Sequence, residues 1–171
     1  MFSPHATPLS SSVNLLLVTR SWFAFGKWTK THICTFILFL DSWDFMTSMT
    51  TNRCYAVAAW CKGKLYVIGG CDGRSVLSCG EMYDPNVNYW RPIPLMNTPR
   101  MKSGIAVYDE QIYVFGGVSD LGQTILSSVE CYNPSGNRWT FVSPLPTESF
   151  DLQCCAVEIP YKSVASVMID E

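Results

Sequence analysis

An all-β chain assembled from repeated four-stranded sheets is the fold this sequence predicts, and three observations predict it. One pattern of residues occurs twice, with a period of about 50 residues. Each copy holds four short apolar runs separated by Gly, Pro, Asn and Asp. Apolar residues fill 48% of the 171 positions and charged residues 15%, so a packed core is available and global disorder is excluded.

The copies align over Arg53–Trp90 and Arg100–Trp139. Arg53 matches Arg100, and the run Lys64–Gly70 matches Gln111–Gly117, both 47 residues on. Glu81-Met82-Tyr83-Asp84-Pro85 matches Glu130-Cys131-Tyr132-Asn133-Pro134, and Trp90 matches Trp139, both 49 residues on. The predicted strands of the first copy lie near 55–60, 64–69, 78–83 and 88–93; those of the second lie near 103–108, 111–116, 127–132 and 138–142. A four-stranded unit of this length is a propeller blade.

Each repeated residue has a structural task. The doublets Gly69-Gly70 and Gly116-Gly117 end the second strand, where the chain needs a tight exit and close backbone approach. Tyr83 and Tyr132 on the third strand, with Trp90 and Trp139 on the fourth, fill the wedge between neighbouring blades. Their phenol O–H and indole N–H groups are expected to reach backbone carbonyls. Arg53 and Arg100, just after the linkers, can pair with carboxylates or carbonyls at the blade junctions.

The flanks hold partial copies. Trp43, Met49 and Arg53 repeat as Trp90, Met96 and Arg100, so 42–49 is the end of an earlier unit. Phe141–Pro146 repeats the linker, and Gln153–Glu158 opens a further copy that fails, because Ala165-Ser166-Val167 stands where a glycine doublet is due. The expected organisation is two complete four-stranded blades, about 53–97 and 100–146, plus fragments of two more within 41–159. A divergent tail follows over 160–171. Residues 1–40 form a leader with Arg20, Lys27 and Lys30 and no carboxylate. Its apolar runs are too short to cross a bilayer, which takes about 20 residues, and a poorly ordered or weakly helical segment is expected. Blades that cannot close a ring leave apolar faces wet, which predicts a marginal monomer that associates.

Composition removes several functions. A net charge of −2 argues against a nucleic-acid-binding stripe. The two histidines, His5 and His32, both precede residue 41. Serine and cysteine nucleophiles therefore lack a histidine partner over the repeats, and no imidazole is available there for copper or zinc. Neither glycine doublet opens a helix or precedes a Lys-Ser/Thr pair, so no phosphate loop is present. No catalytic residue, metal or cofactor is expected, and no enzymatic activity. The eight cysteines contain no CxxC pair. They read as free, mostly buried thiols of a reducing compartment, which points to the cytoplasm.

Gly-Gly, then Tyr, then Trp at this spacing resembles the Kelch repeat. The segments Glu81–Pro85 and Val129–Pro134, each followed by a tryptophan, are similar to the BTB-Kelch (Kelch-like) subfamily. The resemblance covers about 42–159. It implies a partial Kelch β-propeller acting as a protein-interaction module. In that subfamily the propeller recognises a protein to be ubiquitinated, while BTB and BACK domains bind a cullin-type scaffold. Neither domain is recognisable in this sequence, so no direct cullin binding is expected from it. The sequence leaves open a cytoskeletal, actin-binding scaffold and a truncated isoform without function. In closed Kelch propellers the loops joining strand two to strand three, and blade to blade, gather on one face and hold partner peptides. The matching residues here are Asp72 and Arg74, Ser119 and Asp120, and, two positions beyond the arginines, Tyr55 and Lys102. Arg74 and Lys102 are placed to clamp an acidic segment and Tyr55 to stack on it; the alternative for each is a solvated loop residue.

Overall fold

Both copies of the repeat fold into antiparallel four-stranded sheets whose strands follow chain order. The computed structural model describes residues 47–157 and, ahead of them, the backbone of β1 (Leu15–Arg20), β2 (Phe23–Ala24), β3 (Lys27–Trp28), β4 (His32–Ile37) and β5 (Ser42–Phe45). The first complete blade comprises β6 (Val57–Cys61), β7 (Lys64–Ile68), β8 (Gly80–Asp84) and β9 (Tyr89–Ile93). The second comprises β10 (Gly104–Tyr108), β11 (Gln111–Phe115), β14 (Val129–Asn133) and β15 (Arg138–Val142). Between β11 and β14 a loop carries the small hairpin β12 (Val118–Ser119) and β13 (Thr124–Ile125).

Burial follows from stacking one blade on the next. Successive residues of a strand face opposite sides of its sheet. In β7, Leu65 and Val67 belong to one apolar cluster with Met49 and Trp90, and Tyr66 and Ile68 to another, so the strand is apolar and buried on both faces. In β11 only Ile112 and Val114 are fully buried; Tyr113 and Phe115, on the face turned away from the first blade, are half-buried. The seam between the blades is formed by Cys61, Tyr66, Ile68, Ile93 and Met96 against Ile112, Val114 and Tyr132. Across it the Tyr66 and Tyr132 rings lie 5.9 Å apart, and burial, then the charge of Tyr132, pushes the Tyr66 phenol up to about 12.

The glycine doublets end equivalent strands. Gly69 and Gly116 sit at φ +66° and +54°, in the left-handed region that favours glycine. A Cβ there would overlap the carbonyl oxygen of Arg100 or Ser149, respectively. The next residue of each doublet donates to that same oxygen, Gly70 N–H to Arg100 at 2.9 Å and Gly117 N–H to Ser149 at 2.8 Å. Ser149 therefore occupies the position of Arg100 one unit later.

The tryptophans follow the expectation for them and the tyrosines do not. Trp90 and Trp139 donate to the backbone carbonyls of Thr47 at 2.7 Å and Pro94 at 2.9 Å. The phenols of Tyr83 and Tyr132 instead donate to the side-chain oxygens of Asn88 and Asn137, at 2.8 and 2.7 Å. Both asparagines have positive φ in the turn before the fourth strand, where asparagine tolerates the left-handed conformation and its amide is free to accept.

The leader differs from its expectation. Its described residues are strands: β1 and β4 join β5, which follows the leader, in one antiparallel sheet in the order β1-β4-β5, and β2 pairs with β3. Leu16 stands opposite Phe36, and Phe36 opposite Trp43. Leu65, Tyr83 and Trp90 are opposed in the same way, as are Ile112, Tyr132 and Trp139. β1, β4 and β5 thus reproduce the second, third and fourth strands of a blade. The expected tail over 160–171 lies outside the described residues.

Candidate functional site

Each linker is anchored by a buried ion pair. Arg53 donates to Glu81 at 2.9 Å and to the carbonyls of Gly69 and Cys79. Arg100 donates to Glu130 at 2.8 Å and to the carbonyls of Gly116 and Ser128. Each carboxylate accepts in turn from the linker, Glu81 from the Thr50 and Thr51 N–H groups and Glu130 from those of Asn97 and Thr98. Burial alone would raise the Glu81 carboxyl, but hydrogen bonds from Thr50, Arg53 and Thr51 outweigh it and hold it below the ordinary value of 4.5. The unfolded chain therefore takes up a proton at higher pH than the folded one. This contribution is complete above the ordinary glutamate range and is lost as pH falls through the folded value. The urea midpoint is expected to drop on acidification from about pH 6 to about pH 3, and the drop should be smaller in Glu81→Gln; equal pH profiles would remove Glu81 as the titrating group.

These anchors fix the rim two residues further on. Tyr55, Lys102 and Asp151 occupy equivalent positions in three successive units, each in the left-handed region, at φ 55°, 55° and 53°. Their backbones form a chain, Lys102 N–H donating to Tyr55 O at 3.0 Å and Asp151 N–H to Lys102 O at 2.7 Å. The Lys102 ammonium lies 5.2 Å from the Tyr55 ring centre, 5.8 Å from that of Phe150, and 3.4 Å from an Asp151 oxygen. Tyr55 and Phe150 remain 57% and 46% exposed, large aromatic surfaces left open to a partner. Beside them Tyr55, Lys102, Asp151, Leu152 and Gln153 border a cleft of about 330 Å³.

The loops between second and third strands stand on the same face, because backbone bridges tie Cys54 to Cys71 and Met101 to Val118. Arg74 is exposed there. Asp72 accepts from the Arg74 and Ser75 N–H groups, both 2.8 Å away; the Ser75 bond first, then that of Arg74, keeps its carboxyl below the usual range. Asp72 builds the turn that presents Arg74. Asp120 is exposed, and its carboxylate accepts from Ser119 and Thr124.

Ser119 departs from its expectation as a contact residue. It is only 5% exposed, because β12 pairs with β13 and turns it inward. Lys102 is not the bare cation imagined for an acidic segment, since Asp151 and two aromatic rings already engage it. Sequence reasoning missed Asp151 and Phe150 on the rim and Glu81 and Glu130 in the anchors. Spacing held the signal in both cases: Asp151 lies 49 residues after Lys102, and Glu130 lies 49 after Glu81. Among the described residues, no group of three or more His, Cys, Asp and Glu is arranged to hold a metal ion, and no helix is long and apolar enough to cross a membrane. The seven cysteines between residues 47 and 157 are free thiols.

Two meandering blades, anchored linkers and an exposed rim define a propeller-class interaction module. Two Kelch motifs match, at residues 52–97 and 99–146; together they cover more than half of the chain, which belongs to the Kelch-repeat family. Over 118 residues it is 32% identical to human Kelch repeat and BTB domain-containing protein 13, covering 67% of this chain and 25% of that protein. It is 33% identical to human Kelch-like protein 23, covering 69% and 20%, and 33% identical to Beta-scruin of Limulus polyphemus, covering 62% and 12%. The chain thus spans a quarter or less of these curated relatives. The solved structure of YjhT shares the fold, with a TM-score of 0.57 and 17% identity, covering 69% of this chain and 46% of that one.

Proposed function

We propose that the rim formed by Tyr55, Lys102, Asp151 and Phe150, with Arg74 on the neighbouring loop, grips a peptide segment of a partner protein. In this reading the chain is the recognition part of a BTB-Kelch type adaptor, delivering the partner for ubiquitination by a cullin-type ligase without itself touching the cullin. The carrying observation is that three equivalent, backbone-linked positions put a mixed aromatic and charged surface on one exposed edge. The wording of two relatives' names, Kelch-like and BTB domain-containing, favours the adaptor.

The test is affinity capture with the full chain and with a Tyr55→Ala/Lys102→Glu double variant. Recovery of the same partner is expected to fall at least about tenfold, or 1.4 kcal/mol. Val87→Ser, in the exposed turn between β8 and β9 at the opposite end of the sheet, should change nothing. A captured protein should also lose its ubiquitin conjugates when cullin activity is blocked. Undiminished recovery by the double variant removes the rim as the contact surface. A captured filament protein that pellets with the chain and carries no such conjugates would replace the adaptor with a cytoskeletal scaffold.

A further inference from the structure

Cys54 and Cys71 face each other where a linker meets a loop. Cys54 precedes Tyr55 on the linker, and Cys71 opens the loop that carries Asp72 and Arg74. Each donates its N–H to the other's carbonyl, both at 2.8 Å, which makes them a hydrogen-bonded pair of an antiparallel bridge. Such a pair holds its Cα atoms about 5.5 Å apart, inside the span of about 4.4–6.8 Å that a disulfide bridges. The Cys54 thiol donates to the Cys71 carbonyl at 3.4 Å. Burial, then the charge and the thiol of Cys71, raise the Cys54 thiol above its ordinary value. The equivalent residues one unit on, Met101 and Val118, exchange the same two backbone bonds, at 3.0 and 2.8 Å, but carry no thiol. The frame therefore belongs to the repeat, whereas among the described residues no other two cysteines stand opposite each other. Cys54 and Cys71 are 5% and 7% exposed. Exposed Gly73 donates its N–H to the Cys71 sulfur at 3.3 Å, so the pair lies directly under the loop surface.

We propose that Cys54 and Cys71 form an oxidation site, at which a hydroperoxide closes a disulfide and locks the loop 71–76 to the linker. The hydroperoxide passes its outer oxygen to one sulfur, giving a sulfenic acid and releasing an alcohol, or water from hydrogen peroxide. The second thiol loses its proton and attacks that sulfur. The S–S bond forms, the S–O bond breaks, and the oxygen leaves as water. The two thiols together give up two electrons and two protons, and the peroxide O–O bond takes them up. A thiol reductant reverses the step by exchange. The backbone bonds between the two residues already exist in the reduced chain, so closure asks only for side-chain rotation. Burial holds Cys54 as the thiol, so the site answers to sustained rather than trace peroxide. Once closed, it joins the backbone under Tyr55 to the loop that presents Arg74 by a covalent bond as well as by hydrogen bonds.

The test treats the full folded chain with hydrogen peroxide, alkylates the remaining thiols and maps the digest by mass spectrometry. A cross-linked peptide pair joining Cys54 to Cys71 is expected, and dithiothreitol should return both residues to the alkylated pool. Native-state hydrogen exchange at the Cys54 and Cys71 amides should slow by at least about tenfold on oxidation and recover on reduction. Cys71→Ser should abolish the cross-link and the slowing while keeping the near-ultraviolet dichroism of the Tyr66–Tyr132 seam, which separates a lost thiol from a lost fold. The proposal is overturned if Cys54 and Cys71 both stay alkylated under peroxide that has already oxidised the exposed Cys155. A Cys54 cross-link that survives Cys71→Ser, or exchange rates that oxidation leaves unchanged, overturns it equally.

Discussion

Arg100→Ala is expected to cost this chain about 3–5 kcal/mol of stability, the usual result of removing one partner from a buried pair. The side chains of Arg100 and Glu130 are both fully buried. Truncation leaves the Glu130 carboxylate uncompensated and strips donors from the carbonyls of Gly116 and Ser128. Burial lowers the guanidinium pKa even with Glu130 opposing it, so desolvation is the larger electrostatic cost of the pair. An apolar pair such as Arg100→Met/Glu130→Leu should therefore recover part of the loss. Recovery stays incomplete, because the N–H groups of Asn97 and Thr98 lose their acceptor. A domain of this size has about 5–15 kcal/mol in hand, so the single change removes a large share of it. Urea denaturation followed by circular dichroism measures this; a loss under about 1 kcal/mol would show that the anchor is dispensable.

Trp90→Ala is expected to have nearly the same effect, about 3–5 kcal/mol. The indole is 2% exposed, packs with Met49, Leu65 and Val67, and lies 5.2 Å from the Tyr83 ring. Trp90→Phe keeps much of that packing but loses the bond to the exposed Thr47 carbonyl, which costs about 0.5–1.5 kcal/mol. The order alanine worse than phenylalanine worse than tryptophan is the test, again by dichroism, since the substitution alters fluorescence directly. If alanine and phenylalanine cost the same, the hydrogen bond dominates and the packing account fails.

The eight blade strands were legible to within about two residues, the ordinary uncertainty of element ends. Apolar runs mark the strands, and Gly-Gly, Asp-Pro or Asn-Pro marks where the second and third strands of each blade stop. The anchors were half legible. The arginines stand out after their linkers, but Glu81 and Glu130 lie within strands, where a carboxylate ordinarily reads as solvent-facing. β1 and β4 escaped notice because their unit lacks a glycine doublet and carries Phe36 in the tyrosine position. Only Trp43, Met49 and Arg53 kept their spacing. Tyr55 and Lys102 were found as positions, but the cation's engagement with Asp151 depends on a third unit whose arginine is replaced by Ser149. The inward turn of Ser119 comes from a hairpin of two-residue strands, too short for any periodicity to show.

The linker between the complete blades faces two ways. Toward the blade behind, it makes main-chain bonds, Met96 N–H to Ser78 O and Arg100 N–H to Leu77 O. Toward the blade ahead, it extends the Arg100 side chain into Gly116, Ser128 and Glu130. A coupling made of main-chain bonds on one side and one buried Arg–Glu pair on the other lets modules be duplicated or exchanged with few compensating changes. Lys102 lies just beyond that coupling, so exchanging its side chain alters the rim while the joint beneath it stays the same.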